Sequence, residues 1–214
     1  MSARGTDGRV VAVVGSTGSG KTLWTRSQVA NDARLLAWDP LGEWARELRL
    51  QTVTLPELVG LVRRDLERPA ERFRYAYSGN THRESFAAFC AAAWVWLRIA
   101  PGTLVVEELA DVTQPGKAPP SWGDIVRKGR HFGARVYAIT QRPAESDKTV
   151  MGNAAAIHCG LLAFPNDRKY LANCLDVPEA EIAALRPRQW IEKDFRTHEL
   201  RRGTVQIPKG RARA

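Results

Sequence analysis

Apolar residues in this chain fall into short unbroken runs set between longer stretches of helical spacing, and that alternation predicts an α/β fold built on a mostly parallel sheet. The runs Arg9–Val14, Arg34–Asp39, Thr103–Val106, Ala134–Thr140 and Ala156–Phe164 are almost continuously hydrophobic. Such segments suit strands buried on both faces. Arg72–Tyr77 instead alternates polar and apolar residues, as a half-buried strand does. Its aromatics read as core, with Tyr75 and Tyr77 placed to touch a base if they are not.

Helices are expected between the runs. Leu23–Ala30 continues from the first strand and its loop, and Thr54–Glu57 is a capping box with proline in the first turn, opening a helix to about Glu67. Thr81–Glu84 is a second capping box, opening a helix through Ala100 with Trp94 and Trp96 on different faces and Pro101–Gly102 as its stop. Ser121–Asp124 caps a basic helix that ends in Arg127–His131, while Asn166 and Asp176 read as caps of two short helices, the second Pro178–Leu185. Asp111–Pro120, with three prolines and a glycine, reads as a surface loop. Gln189–Phe195 and His198–Ile207 form an expected hairpin at the sheet edge. The expected organisation is a flexible segment 1–8, one domain over 9–207, and a basic, disordered tail over 208–214.

One loop gives this pattern a chemistry. Gly15, Ser16, Thr17, Gly18, Ser19, Gly20, Lys21 and Thr22 fit G-x-x-x-x-G-K-[ST] at every fixed position, directly after one apolar strand and before one helix. The glycines let backbone N–H groups turn inward around phosphate oxygens, and the helix N-terminus adds partial positive charge. In such a loop Lys21 reaches the β and γ phosphates of a nucleoside triphosphate, and the Thr22 hydroxyl is a ligand for Mg2+.

Composition adds three constraints. With 214 residues the chain is long enough to bury a core without disulfide or metal support. A net charge of +9 and a pI near 9.9 favour an acidic partner such as nucleic acid. Cys90, Cys159 and Cys174 lack metal-site spacing and read as buried thiols in a reducing compartment, and the four histidines are equally scattered. The polar start shows no secretion signal, and Phe86–Ala100 is too short to span a bilayer.

Further chemistry is expected where strands end, because ligands of open α/β sheets bind outside the carboxyl ends of the strands. Thr103–Val106 runs into Glu107 and Glu108: Glu107 is the expected magnesium-shell carboxylate, and Glu108 the general base or water positioner. Gln141 follows the strand ending at Thr140 and is the expected γ-phosphate sensor. Asp39 or Glu43 either approaches the nucleotide or its Mg2+ shell, or Asp39 merely serves as a turn or helix cap before Pro40.

With these residues in view, the chain resembles the FtsK/HerA superfamily of P-loop ATPases. The resemblance rests on Gly15–Thr22, on Asp39-Pro-Leu-Gly-Glu43-Trp44, on Glu107–Glu108 and on Thr140-Gln141-Arg142-Pro143, spanning about residues 9 to 165. It implies a three-layer RecA/ASCE-type fold with an additional strand between the phosphate-loop strand and the Glu107 strand. It also implies a ring of identical subunits, commonly six, and an arginine finger given by one subunit to its neighbour, for which Arg127 and Arg130 are the candidates, with Arg142 behind them. Glu107 departs from the Asp of many relatives. Within the superfamily the chain is most similar to genome-packaging ATPases of membrane-containing, double-jelly-roll viruses. The resemblance thus implies ATP hydrolysis with Mg2+, translocation of double-stranded DNA, partners at a capsid vertex, and a place in the host cytoplasm and at the virion vertex. The alternatives are a filamentous-phage DNA-export or conjugation ATPase and, from another class, a small-molecule P-loop kinase.

Overall fold

The computed structural model describes residues 8–116 and 118–207. In chain order the elements are β1 (Arg9–Val14), α1 (Lys21–Val29), β2 (Arg34–Trp38), α2 (Glu43–Leu48), β3 (Gln51–Val53), α3 (Leu55–Glu67), β4 (Phe73–Tyr77), α4 (Arg83–Ile99), β5 (Thr103–Val106) and α5 (Leu109–Val112). There follow α6 (Pro120–Lys128), a 3-10 turn (Gly129–Phe132), β6 (Arg135–Thr140), α7 (Lys148–Asn153), β7 (Ala156–Gly160), α8 (Pro165–Leu175), α9 (Glu179–Ala183), β8 (Gln189–Asp194) and β9 (Glu199–Thr204). The expected flexible start and basic tail fall largely on residues 1–7 and 208–214, outside the described residues.

The strands form one sheet in the order β3-β4-β2-β5-β6-β1-β7-β8-β9, in which β8 and β9 are antiparallel and the others parallel. The strand order contains the implied insertion: β6 separates β1 from β5, with Val14 beside Thr140 and Val106 beside Ala138. The ends of β1, β5 and β6, and with them the phosphate loop, Glu107 and Gln141, are therefore neighbours at one edge of the sheet.

Strand alternation divides the core between the two faces. Val10, Ala12, Leu36, Trp38, Leu104, Val106, Val136 and Ala138 pack with Leu58, Phe86, Phe89, Trp96 and Trp122 from α3, α4 and α6. Val11, Val13, Leu35, Ala37, Val105, Tyr137 and Ile139 turn the other way, onto Val29 of α1 and Trp44 of α2. Burying each large side chain such as Phe86 or Trp96 contributes about 1.5–3 kcal/mol, so both helical layers are held chiefly by area removed from water. Tyr75 and Tyr77 belong to this packing: Tyr77 stacks on Trp38 at 4.7 Å, and Tyr75 meets Phe73 edge-on. At the opposite edge Asp32 accepts from Arg135 at 2.9 Å and from Thr103 at 2.7 Å, joining α1 to the starts of β5 and β6.

Several local expectations need correction. The capping box at Thr54 is present, but the helix expected from Thr81 begins at Arg83, and it is Asn80 whose side-chain oxygen accepts from Ser85 and from the His82 amide. Asn166 lies inside α8, which opens at Pro165, and Asp176 closes that helix in a left-handed conformation (φ 58°) instead of opening the next. The strand expected over 156–164 stops at Gly160, and the loop expected over 111–120 begins inside α5, which buries Val112. The basic helix starts at Pro120. Cys90 and Cys159 are buried, whereas Cys174 is only partly so. The short elements α2, β3 and α7 are additions to the predicted set.

Candidate nucleotide site

Gly15–Thr22 leaves the end of β1 and winds into α1. Its path is pinned by Gly15 N–H donating to the Thr140 carbonyl at 3.2 Å and Ser16 N–H donating to the Leu161 carbonyl at 2.8 Å. Gly18 and Gly20 have φ of 80° and 87°, a region that side-chain-bearing residues enter only with strain, so the tight wrap of the loop requires glycine there. A Cβ on Gly15 would stand 2.4 Å from Ser19 Oγ. Lys21 is 7% exposed, and the buried Ser19 Oγ has no hydrogen-bond partner among the described residues. A glycine-rich turn leading into a helix N-terminus, with a buried cationic side chain and a hydroxyl unpaired among the described residues, has the chemistry that suits a polyphosphate.

Beside this turn, Thr22 Oγ1 donates to Glu107 Oε1 at 3.1 Å, and Trp44 Nε1 donates to Glu107 Oε2. Burial pushes the Glu107 carboxyl above its ordinary value, while the Trp44 and Thr22 bonds and the Lys21 charge pull the other way. One hydroxyl and one carboxylate, both hard oxygen donors, fit Mg2+, which retains most of its waters and takes few protein ligands.

Glu108 has φ 50° and starts α5 from the left-handed region, turning its side chain away from that of Glu107. Gln141 Nε2 donates to Glu108 Oε1 at 2.6 Å, and Thr17 Oγ1 donates to Gln141 Oε1 at 3.0 Å. Three residues from three segments, Thr17, Gln141 and Glu108, thus form one continuous chain of hydrogen bonds. They border a cavity of about 730 Å3 that Arg142 and Phe164 also line.

In the segment from Asp39 to Trp44 the cap reading of Asp39 holds, and Asp39 and Glu43 are engaged with α2 and Arg26. Asp39 is 4% exposed and accepts from the Ala45 amide at 2.9 Å, holding the first turn of α2. Glu43 pairs with Arg26 of α1 at 3.1 Å, pinning the helix that carries Lys21. Trp44, fully buried, delivers its indole N–H to Glu107. Sequence reasoning quoted Trp44 only as part of a motif; the available signal was an indole, a donor with no acceptor atom, three residues beyond a strand-end turn.

The arginines separate into two groups. Arg142 stands at the cavity, yet Asp167 accepts from its Nε at 3.0 Å, Glu145 from its terminal nitrogen, and the guanidinium lies 4.2 Å from the Phe164 ring centre. Arg127 and Arg130 are exposed and lie just before β6, whereas the phosphate loop faces the end of β6. The structure therefore does not bring them to this chain's own phosphate loop.

No protein-family profile matches the chain. Protein P9 of Pseudoalteromonas phage PM2 is 37% identical over 175 residues, which cover 81% of this chain and 78% of that protein. Among solved structures, the genome packaging NTPase B204 of Sulfolobus turreted icosahedral virus 2, in complex with ATP-gammaS, matches with a TM-score of 0.75 and 14% identity over 93% of this chain and 98% of its own. VirB4 of Thermoanaerobacter pseudethanolicus matches with a TM-score of 0.68 and 11% identity over 97% of this chain and 92% of its own. The bacterial conjugative coupling protein TrwBdeltaN70 matches with a TM-score of 0.71 and 12% identity over 96% and 87%. With the phosphate loop, the inserted β6 and the phage relative together, the chain shares its fold with the packaging NTPase, VirB4 and the coupling protein, and it belongs to the same family as phage PM2 protein P9.

Proposed function

We propose that this chain is an ATP hydrolase that moves double-stranded DNA, acting as a viral genome-packaging motor. The observation that carries the catalytic part is the hydrogen-bonded chain Thr17–Gln141–Glu108 in front of the phosphate loop. The viral part is supported by the phage relative and by the fold shared with a packaging NTPase.

In this reading the loop Gly15–Thr22, its Gly15 and Ser16 amides tied to the Thr140 and Leu161 carbonyls, offers its later amides and Lys21 to the β and γ phosphates, and Thr22 and Glu107 would hold Mg2+, whose charge would offset that of the phosphates. Glu108 accepts a proton from the water that attacks the γ-phosphorus, and the bond to the β-phosphate oxygen breaks to leave ADP and phosphate. Gln141 keeps one Glu108 oxygen occupied and leaves the other for that water. A γ-phosphate competing for the Thr17 hydroxyl moves the Gln141 amide and hence Glu108, which is how nucleotide state reaches the base. Arg127 or Arg130 then completes the site of a neighbouring subunit in a homo-hexameric ring, acting on the charge of the transferring phosphoryl group.

The net charge of +9 suits contacts to DNA phosphates that ignore sequence. No helix among the described residues is long and apolar enough to cross a membrane. We place the motor in the host cytoplasm and at a capsid vertex. The test is ATP hydrolysis measured against protein concentration and against double- and single-stranded DNA. Cooperative activation by duplex DNA is expected; full activity in dilute protein without DNA would remove the motor reading. Preferential activation by single strands would favour the conjugation or export alternative, whose fold is also shared.

A further inference from the structure

The phosphate loop has two flanks. β6 and β5 lie on one side of β1 and bring Gln141 and Glu108, so the γ-phosphate end of a bound nucleotide belongs there. β7, β8 and β9 lie on the other side, and they bring an arginine to which the catalytic scheme gives no role. A Cβ placed on Gly20 would stand 3.4 Å from Arg188 Cγ and 3.3 Å from Val205 Cγ2, so both residues border the loop directly before Lys21.

Arg188 is held there by its backbone. Its φ is 69°, a left-handed conformation that a residue with a side chain adopts only with strain. The Gln189 amide donates to the Arg186 carbonyl at 2.9 Å, Gln189 Oε1 accepts from the Arg186 amide at 2.8 Å, and the Arg188 carbonyl accepts from the Val205 amide at 2.9 Å. The side chain is exposed, and its guanidinium has no hydrogen bond or ion pair among the described residues. That contrasts with Arg142 on the other flank, which two carboxylates and an aromatic ring occupy. Behind Arg188 a groove of about 420 Å3 runs between α1 and the β8–β9 hairpin, walled by Leu23, Trp190, Val205 and Gln206. Leu23 follows the magnesium-side Thr22, so the groove opens where a triphosphate would leave the loop at its α-phosphate end.

We propose that this groove and Arg188 receive the nucleoside half of the nucleotide, with the guanidinium lying over the face of the base. A flat, weakly hydrated cation stacks on a heteroaromatic ring, and a groove that sets Leu23, Trp190 and Val205 beside the polar Arg26, Glu47 and Gln206 offers a purine both apolar surface and hydrogen-bonding groups. The assignment rests on the reading of Gly15–Thr22 as a nucleoside triphosphate site.

The test compares ADP with tripolyphosphate, which carries the phosphates without a nucleoside, by calorimetric titration of the full chain. Arg188→Ala should weaken ADP about tenfold and leave tripolyphosphate within about twofold. Arg188→Gly should do the same while keeping or raising thermal stability, because glycine takes φ 69° without strain, so loss of folding cannot imitate the result. Unchanged ADP affinity would overturn the proposal, and so would equal losses for both ligands, which would make Arg188 a phosphate contact. If the unmutated chain bound neither ligand, the nucleotide reading itself would fall, a distinguishable outcome.

Discussion

The side-chain amide of Gln141 joins the phosphate loop to the carboxylate of Glu108: its nitrogen donates to Glu108 Oε1 at 2.6 Å, and its oxygen accepts from Thr17 Oγ1 at 3.0 Å. An amide can bridge in this way because it carries a donor and an acceptor on one rigid plane. A strand inserted between β1 and β5 is what brings that plane to the place where the two residues can share it.

The bridge predicts separable defects. Glu108→Gln removes the base and should lower the hydrolysis rate by about 10^2- to 10^4-fold. Gln141→Ala leaves the base but frees it to rotate, and a loss of about 10^2-fold is expected from mispositioning. Nucleotide affinity, measured by equilibrium titration, should change little in either variant, since the phosphate loop is untouched. Equal loss of binding and turnover would show that the bridge is structural.

Trp44→Phe preserves most of the ring that fills the space below α2 and removes the N–H that Glu107 Oε2 accepts. A buried carboxylate oxygen left unpaired costs about 1–3 kcal/mol, which denaturant unfolding should register. The freed carboxylate should also hold Mg2+ less well, so the Mg2+ concentration needed for tight nucleotide binding should rise. Binding measured without Mg2+ should stay the same.

Much of this site was legible because strand-end chemistry follows local sequence. Gly15–Thr22, Glu107, Glu108 and Gln141 each sit directly after a run of buried apolar residues, and parallel strands deliver such positions to one edge. What local sequence does not carry is pairing across the chain. Asp39 and Glu43 sit near enough in sequence to suggest nucleotide contact, yet the structure spends them on the α2 turn and on Arg26. Arg188 gave no signal, since only the return of β8 and β9 along β7 sets it beside Gly20. The misplaced caps have a similar cause. Asp176 has the residue type that opens helices, but its left-handed backbone instead ends α8, a role that asparagine and aspartate also tolerate.

His158 makes stability depend on pH. It is buried on β7, stacked on Trp24 at 3.8 Å, with Nδ1 3.0 Å from Glu192 Oε2. Burial lowers its pKa from 6.5, with the Glu192 contact opposing. A histidine whose folded value is depressed stabilises the fold fully above 6.5, and that contribution is lost as pH falls from 6.5 through the folded value. Wild type should therefore lose stability relative to His158→Phe in that acid range, by at most about 1.4 kcal/mol per pH unit. Parallel unfolding-versus-pH curves for the two proteins would refute the assignment.

The placement of Arg127 and Arg130 makes the ring itself testable. Arg127 lies in the last turn of α6 and Arg130 in the 3-10 turn after it; both precede β6, at the sheet edge away from their own phosphate loop, and Arg127 is only loosely paired with Asp124 at 4.0 Å. If either is the finger it acts on another subunit, so a subunit needs its own Lys21 but borrows its arginine. Lys21→Ala should abolish hydrolysis alone, and so should whichever of Arg127→Ala and Arg130→Ala removes the finger. Mixed in equal amounts, the lysine variant supplies a sound arginine and the arginine variant a sound phosphate loop. About a quarter of the interfaces in a randomly mixed closed ring would then be complete. Activity should return toward that fraction when the two inactive proteins are combined and reassembled. The arginine whose variant is complemented in this way is the finger. Failure of both arginine variants to complement, with assembly confirmed by sedimentation, would place the finger elsewhere on the chain or remove it from the mechanism.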